Sequence, residues 1–284
     1  MLSMAGKSVR KWWALFALPT FAAFVIGFLV PFVMSIILSF CRFATVTDAK
    51  FIGIHNYAAA LSDPEFWHAL IFTVAFTVVT TLIINILGFA VAYLLTTNIR
   101  GANIFRSVFF MPNLIGGIIL GYIWMLLLNG ILAHWGRSIT YSGVYGFWGL
   151  VILYCWQQIG YMMIIYISGL QSLPGDVIEA AQVDGANGRQ TLFHITIPLM
   201  MPSITVCTFL TVTNGFKLFD QNLALTNGAP SNSSEMLALN IYRTFYGRPG
   251  FEGVGQAKAV IFFVIVAAIA IIQNRLTTSK EVTA

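Results

Sequence analysis

The chain has 284 residues, of which 58% are hydrophobic and only 9% are charged. A water-soluble domain carries about 25% charged residues, so this composition excludes a soluble globule, a disordered chain and a coiled coil. The net charge of +5 comes from basic residues scattered singly between apolar blocks, which excludes a nucleic-acid-binding stripe. These blocks are about 20 residues or longer, which suits membrane-spanning helices better than barrel strands. The sequence therefore predicts an all-α membrane protein.

Six segments of the chain are long and apolar enough to cross a lipid bilayer as helices. In chain order they lie near 12–40, 67–97, 105–128, 147–170, 197–219 and 257–276. The first segment follows Lys7, Arg10 and Lys11, which have no acidic residue beside them. The short second connection is flanked by Arg100 and Arg106. Because basic residues favour the cytoplasmic side of a membrane, this first hairpin predicts that both termini are cytoplasmic.

The connection at 220–256 is predicted to be external and is too long for a simple tether. It contains a turn around Gly228 and Pro230, a short helix predicted over 234–246, and a second turn at 247–250. Two interpretations stay open at this point. The segment either covers the pore or contacts an external partner, or it is an ordinary solvated loop.

The connection at 171–196 is predicted to be internal and has more definite local signals. Pro174 and Asp176 are typical of a helix start. Gly185 and Gly188 permit a sharp turn shortly afterwards. The sequence therefore predicts a short helix, a glycine break and a return to the membrane.

The side chains of this short helix favour docking against another protein. Ala180 and Ala181 are small enough for a second surface to approach closely. Glu179 and Asp184 offer carboxylates that can pair with basic groups on that surface. The alternative is an amphipathic helix lying on lipid, but a single basic residue, Arg189, disfavours binding to anionic lipid.

The run EAAQVDGANGRQTLFHITIP, at 179–198, resembles the EAA loop of permease subunits from bacterial ATP-binding-cassette (ABC) importers. The shared pattern is Glu-Ala-Ala, three residues, Gly, nine residues, Ile, one residue and Leu-Pro, and Ile197 in place of the leucine is the one departure. The matching positions are Glu179, Ala180, Ala181, Gly185, Ile195 and Pro198. So long a gapped match is far more specific than a three-residue motif.

Residues along nearly the whole chain resemble the carbohydrate-importer branch of this family. The pattern resembles the first permease of the heterodimeric pairs in maltose, other oligosaccharide and glycerol-phosphate importers more than it resembles the second. The residues that carry this resemblance include Phe51, Gly53, Asn56, Tyr57, Arg106, Pro112, Trp124, Trp156, Gly160, Pro174, Phe219, Asp220 and Thr226. Ala229 and Ala133 depart from the usual glycine and asparagine, and neither belongs to the EAA pattern.

The resemblance implies a six-transmembrane-helix type I ABC importer permease with a cytoplasmic EAA coupling helix. It implies a sugar or oligosaccharide path shared with a second permease, an extracytoplasmic solute-binding protein, and a bacterial cell-membrane location. ATP and Mg would be bound by a pair of partner ATPase subunits, with no cofactor in this chain. In the coupling loop, Glu179 is expected to pair with a basic ATPase residue, with Asp184 nearby. Ala180 and Ala181 would give the close contact, and Gly185 the turn.

Polar residues inside the spans are candidates for a sugar path, because such residues usually face protein or a water-filled cavity. The resemblance, anchored on Pro112, Trp156 and Phe219, implies the path residues Asn113, Gly117, Tyr154, Gln157, Gln158, Tyr161, Asn214 and Lys217. Other roles stay open for four of them. Gln157 and Asn214 equally fit hydrogen bonds between helices, Lys217 fits snorkelling to the surface, and Gly117 with Gly121 fits helix packing.

The sequence predicts neither an enzyme nor a metal site. Gly6-Lys7-Ser8 resembles the end of a phosphate-binding loop, but the first glycine of that loop and a preceding strand are missing. The four histidines lack metal-ligand spacing. A stand-alone channel or ion-coupled secondary carrier is the alternative function. It would require internal repeats or membrane-embedded carboxylates, and the six segments hold almost no Asp or Glu.

Overall fold

The structure is a computed structural model that describes residues 15, 17–97 and 99–278. The basic residues before the first span, Lys7, Arg10 and Lys11, and the run Gly6-Lys7-Ser8 lie outside the described residues. The chain divides into two compact units. The first comprises Met1–Asp63 and Ile241–Ile261, and the second comprises Pro64–Asn240 and Phe262–Ala284.

The first unit begins with helix α1 (Ala17–Leu38), which contains a π-helical turn at Val25–Leu29. Two short strands follow, β1 (Cys41–Arg42) and β2 (Lys50–Phe51), and they pair antiparallel with Cys41 opposite Phe51. Helix α2 (His55–Leu61) closes this part of the chain. The pair of strands β1 and β2 is a small exception to the predicted all-α fold.

Asn56 joins three parts of the first unit. Its side-chain amide donates hydrogen bonds to the carbonyl oxygens of Ser39, at 2.9 Å, and Cys41, at 2.8 Å. Gly253 lies against the same group, because a Cβ atom there would come within 2.5 Å of the Asn56 amide nitrogen. One buried amide therefore joins the end of α1 to the start of α2, and the segment around Gly253 packs closely against it.

A buried ion pair lies in the same unit. The Lys258 ammonium is fully buried, 2.7 Å from a carboxylate oxygen of Asp63 and 2.8 Å from the Thr244 hydroxyl. The charge of Lys258 is thus compensated inside the protein.

Asp63→Asn is expected to destabilise the transporter by about 2 kcal/mol, because it removes the charge of the carboxylate that lies 2.7 Å from the buried Lys258 ammonium. This value is below the usual cost of breaking a buried pair because the Asp63 side chain is 18% exposed. Thermal unfolding of the purified complex measures it. The double variant Asp63→Leu/Lys258→Met removes both charges and should recover most of the loss. Equal stability of Asp63→Asn and the parent protein would contradict this role.

The second unit contains most of the candidate spans. Its helices, in chain order, are α3 (Pro64–Thr96), α4 (Ala102–Phe110), α5 (Gly117–Leu132), α6 (Gly143–Gln171), α7 (Gly175–Val183), α8 (Gly188–Leu199), α9 (Met201–Phe216) and α10 (Asp220–Leu225). Two further helices, α11 (Leu237–Gly247) and α12 (Glu252–Thr278), continue the chain. Helix α6 is the most buried of the candidate spans and forms the centre of the hydrophobic core.

The predicted third segment, 105–128, is not one continuous helix. Helix α4 ends at Phe110, a 3₁₀ turn covers Met111–Leu114, and α5 starts at Gly117. Pro112 causes the break, because proline has no N–H to donate to the preceding turn. Gly116 then adopts extended backbone angles before α5. The candidate span is accordingly Gly117–Trp135.

The predicted fifth segment, 197–219, is also interrupted. Helices α8 and α9 meet at Met200 and are bent by 68°. Pro198 and Pro202 on either side of the bend each remove a backbone donor. Within the described residues, five helices are long and apolar enough to span a membrane, or six if this bent pair counts as one span.

The long segment after α10 is packed and ordered by specific hydrogen bonds. The buried Asn222 side chain donates to the Ser234 carbonyl oxygen, at 2.8 Å, and accepts from the Met236 backbone N–H, at 3.0 Å. The Thr73 hydroxyl of α3 accepts from the Leu237 N–H at 2.9 Å. These bonds satisfy first-turn donors of α11, so the helix starts at Leu237, later than predicted. The solvated-loop interpretation does not fit this packing.

Candidate functional site

A polar cavity of about 300 Å³ lies among α6, α9 and α10. It contains four of the predicted path residues, Tyr154, Gln158, Asn214 and Lys217. The other lining residues are Leu218, Phe219, Asp220 and Gln221. Residues far apart in sequence thus form one site, at the point where the chain leaves α9 and enters α10.

Two residues of this lining each carry a buried polar atom that has no hydrogen-bond partner among the described residues. They are the hydroxyl oxygen of Tyr154 and the amide oxygen Oε1 of Gln158. The Tyr154 side chain is 2% exposed and that of Gln158 is 9% exposed. Buried polar groups are nearly always hydrogen-bonded in folded proteins. Two residues of the cavity lining therefore carry polar groups whose hydrogen-bonding capacity is unused within the described chain.

Two opposite charges flank these groups. Lys217 caps the C-terminus of α9, and Asp220 lies in the first turn of α10, so each charge is on the side that its helix dipole favours. Both side chains are exposed, and the described residues show no ion pair between them. The ammonium is a donor and the carboxylate an acceptor, and both remain accessible to a solute.

Gln157 belongs to an interhelical contact and does not line this cavity. Its amide nitrogen donates to the Ile115 carbonyl oxygen at 3.2 Å. Its amide oxygen accepts a 2.8 Å hydrogen bond from Gln221. This buried pair joins α6 to α10 and to the break before α5. The sequence left two roles open for Gln157, solute binding and hydrogen bonding between helices. The structure shows the hydrogen bonds between helices.

Gly117 and Gly121 lie at a close contact between α5 and α10. A Cβ atom at Gly117 would come within 2.7 Å of the Asp220 Cβ, and one at Gly121 within 2.7 Å of the Ala224 Cβ. The helix-packing role left open for this pair is therefore the observed one.

The remaining predicted path residues are outside the cavity lining. Asn113 is half-buried in the 3₁₀ turn before α5, and Tyr161 is half-buried against the hydrophobic core. Sequence reasoning left out Asp220 and Gln221 as site residues. The sequence signal was available, because Asp220 is an isolated carboxylate directly after a predicted span.

The short helix predicted in the 171–196 connection is present as α7. Its glycine break has the geometry of a Schellman motif, in which the Ala186 N–H donates to the Ala181 carbonyl oxygen at 3.0 Å. Gly185 has a φ angle of +81°, in the left-handed region that glycine adopts without strain. Asn187 and Gln190 then form a capping box with two 2.9 Å hydrogen bonds that starts α8. Local hydrogen bonds and the left-handed Gly185 therefore fix the turn from α7 into α8.

The exposed face of α7 differs from the predicted face at two positions. Glu179, Ala180 and Asp184 are exposed, whereas Ala181 is only 7% exposed and packs within its own chain. Val183, which the sequence prediction did not include, is 87% exposed. Val183 therefore adds an apolar side chain to the exposed face of α7.

Several apolar spans, a polar cavity between them and a short exposed helix joining two spans define a helical membrane transport protein. Residues 84–280 match the family of binding-protein-dependent transport system inner membrane components, and the chain belongs to that family. This membership confirms the prediction that the chain is a permease of a binding-protein-dependent importer. The alternative, a stand-alone channel or carrier, is not supported. The family places the chain in the membrane as a multi-pass component of a transport system.

Curated relatives cover almost the whole chain. The chain is 44% identical, over 95% of each protein, to a probable starch degradation products transport system permease protein, AmyD, of Thermoanaerobacterium thermosulfurigenes. It is 30% identical to the multiple sugar-binding transport system permease protein MsmF of Streptococcus mutans, over 97% of this chain and 99% of the relative. A trehalose/maltose transport system permease protein, MalF, of Thermococcus litoralis is also 30% identical, over 91% and 90% of the two chains.

Solved structures show the same fold. A chain of a bacterial ABC transporter involved in the import of the acidic polysaccharide alginate superposes with a TM-score of 0.80, at 18% identity, over 97% of this chain and 99% of that chain. A chain of the MetNI methionine ABC transporter gives a TM-score of 0.59 over 78% of this chain. The predicted type I ABC importer permease fold is confirmed.

Proposed function

We propose that this chain is one of two permease subunits of an ATP-driven importer for a sugar or oligosaccharide. An extracytoplasmic solute-binding protein delivers the solute, and the two permeases form the path across the bacterial cell membrane. A pair of ATPase subunits binds ATP and Mg and drives the cycle, and both termini of this chain are cytoplasmic. The names of the relatives, which refer to starch products, multiple sugars and trehalose or maltose, support a carbohydrate solute.

The cavity among α6, α9 and α10 supports this choice of solute. Sugars present many hydroxyl groups, each of which both donates and accepts hydrogen bonds. The cavity offers the acceptor Oε1 of Gln158, the hydroxyl of Tyr154, the ammonium of Lys217 and the carboxylate of Asp220, together with the flat ring of Phe219. The single observation that carries the proposal is the pair of buried, unpartnered atoms on Tyr154 and Gln158 in this cavity.

Tyr154→Phe is expected to raise the KM for uptake about fivefold with little change in stability. The substitution removes one hydroxyl that binds solute, and a hydrogen bond contributes about 1 kcal/mol. The hydroxyl has no partner among the described residues, so the fold loses no contact. Uptake kinetics of the reconstituted complex with a labelled sugar, delivered by the binding protein, measure the change.

Tyr166→Phe is the matched control, because Tyr166 is another buried tyrosine of α6. Its hydroxyl donates a 2.6 Å hydrogen bond to the Asn85 side chain. This variant should lower the unfolding temperature of the complex and leave KM unchanged. If Tyr154→Phe behaves like Tyr166→Phe, the cavity is not the solute site.

In the proposed cycle, α7 transmits motion from the ATPase to the spans. Glu179 and Asp184 pair with basic residues of the ATPase, and Ala180 and Val183 form the apolar part of the contact. Ala181 anchors the helix to its own chain. Closure of the ATPase pair then shifts the population between inward- and outward-open states of the permeases.

The proposal as a whole is tested by reconstituting the chain with its partner subunits and measuring uptake across a panel of oligosaccharides. We expect uptake that requires ATP, the binding protein and one class of sugar. Uptake by this chain alone, without ATP, would contradict it.

A further inference from the structure

A groove of about 360 Å³ lies between α5 and α6 on the surface of the second unit. Leu128 and Ile131 of α5 line one side, and Val144 and Trp148 of α6 line the other. The phenol of Tyr145 supplies a polar group in an otherwise apolar lining. Both helices are candidate membrane spans, so the groove between them lies at the level of a lipid bilayer.

The loop at 133–142 is fixed against the end of this groove. The Asn129 side chain accepts a 2.8 Å hydrogen bond from the Ile139 N–H, and the Leu132 carbonyl oxygen accepts a 3.1 Å bond from the Arg137 N–H. Gly149 leaves room for Ile139 to pack on α6, since a Cβ atom there would meet the Ile139 side chain at 2.5 Å. The backbone at Arg137 is therefore held in place.

Arg137 contacts the same tyrosine that lines the groove. Its guanidinium donates a hydrogen bond to the Tyr145 hydroxyl. The guanidinium carbon is 5.1 Å from the ring centroid of Tyr141 and 5.7 Å from that of Tyr145. These contacts use one of the five guanidinium donors and orient the group on aromatic faces.

The charge of Arg137 has no anionic partner within the described part of the chain. The sequence has no Asp or Glu between Glu65 and Asp176. Arginine suits phosphate because its planar donors can form two parallel hydrogen bonds to it. Trp135 and Tyr141 are exposed beside it, as aromatic residues are at the membrane surface.

We infer that this groove binds a membrane phospholipid, with the lipid phosphate on Arg137 and an acyl chain between α5 and α6. The apolar lining matches the chain, the guanidinium matches the phosphate, and Tyr145 joins the two parts of the site. A neighbouring protein would need its own anionic group to compensate Arg137. The site is independent of the solute that the transporter carries.

Native mass spectrometry of the complete transporter, with added palmitoyl-oleoyl phosphatidylglycerol, tests the inference. Arg137→Gln should lower the apparent affinity for this lipid about tenfold, because it removes charge-assisted hydrogen bonds. Arg137→Lys keeps the charge without the planar donors and should lose less. Val144→Trp should fill the groove and also lower lipid binding.

Two matched controls distinguish the site from general surface effects. Arg42→Gln removes an exposed arginine of the first unit, and Val78→Trp enlarges an exposed valine of α3. Both should leave lipid binding unchanged. Unchanged lipid binding in Arg137→Gln and Val144→Trp would overturn the inference.

Photocrosslinking in the native membrane identifies the occupant directly. Ile131→benzoylphenylalanine places a reactive group in the groove. A phospholipid adduct supports the inference. An adduct with the second permease shows a protein interface and overturns it.

Discussion

Gly185→Val is expected to abolish most ATP-driven uptake while ATP hydrolysis continues. The φ angle of +81° at Gly185 lies in the left-handed region, where a β-branched residue costs about 1 to 3 kcal/mol. Relief of that strain would undo the Schellman motif and change the direction of α7 relative to α8. Because the proposed coupling contact depends on that direction, hydrolysis would no longer be converted into solute movement.

The measurement compares uptake and ATP hydrolysis in the same reconstituted vesicles. Gly188→Val is the matched control, because Gly188 is three residues away, has no positive φ angle and has no neighbour within 4 Å of its would-be Cβ. Gly185→Asn should retain part of the uptake, since asparagine tolerates the left-handed region. Full uptake by Gly185→Val would remove the basis for coupling through α7.

Gly160→Ala is expected to destabilise the second unit by about 3 kcal/mol and to lower the unfolding temperature of the complex by about 5 °C or more. A Cβ atom at Gly160 would overlap the backbone carbonyl group of Phe109, at the end of α4. Backbone cannot rotate away as a flexible side chain can. The break at 111–116 would have to move from α6, which would also disturb the bond between Gln157 and Ile115.

Gly130→Ala is the control for this prediction, because no atom lies within 4 Å of a Cβ built at Gly130 in α5. Alanine has the higher helix propensity, so this variant should be equally or slightly more stable. Opposite shifts in thermal unfolding for the two variants are the expected result. A Gly160→Ala transporter as stable as the parent would show that α4 does not rest on α6 in the assembled complex.

The sequence predicted the features that local chemistry determines. The thickness of the bilayer sets the length of an apolar span, so the number of apolar segments could be predicted from composition, although two of them, 105–128 and 197–219, are interrupted. The turn after α7 was predictable because it needs a left-handed residue, and Gly185 supplies one directly after a helix-forming run. The interruption at Pro112 was also visible in the sequence, since proline cannot donate the helical hydrogen bond, but it was passed over.

Only the tertiary structure decided which way the side chains of adjacent polar and small residues face. Gln157 and Gln158 are neighbours of the same type, yet one bonds to Gln221 between helices and the other lines the cavity. Ala180 and Ala181 divide in the same way between the exposed and buried faces of α7. Successive residues on a helix point about 100° apart. Which of them meets a partner therefore depends on where the other helices pack, and no local signal in the sequence specifies that.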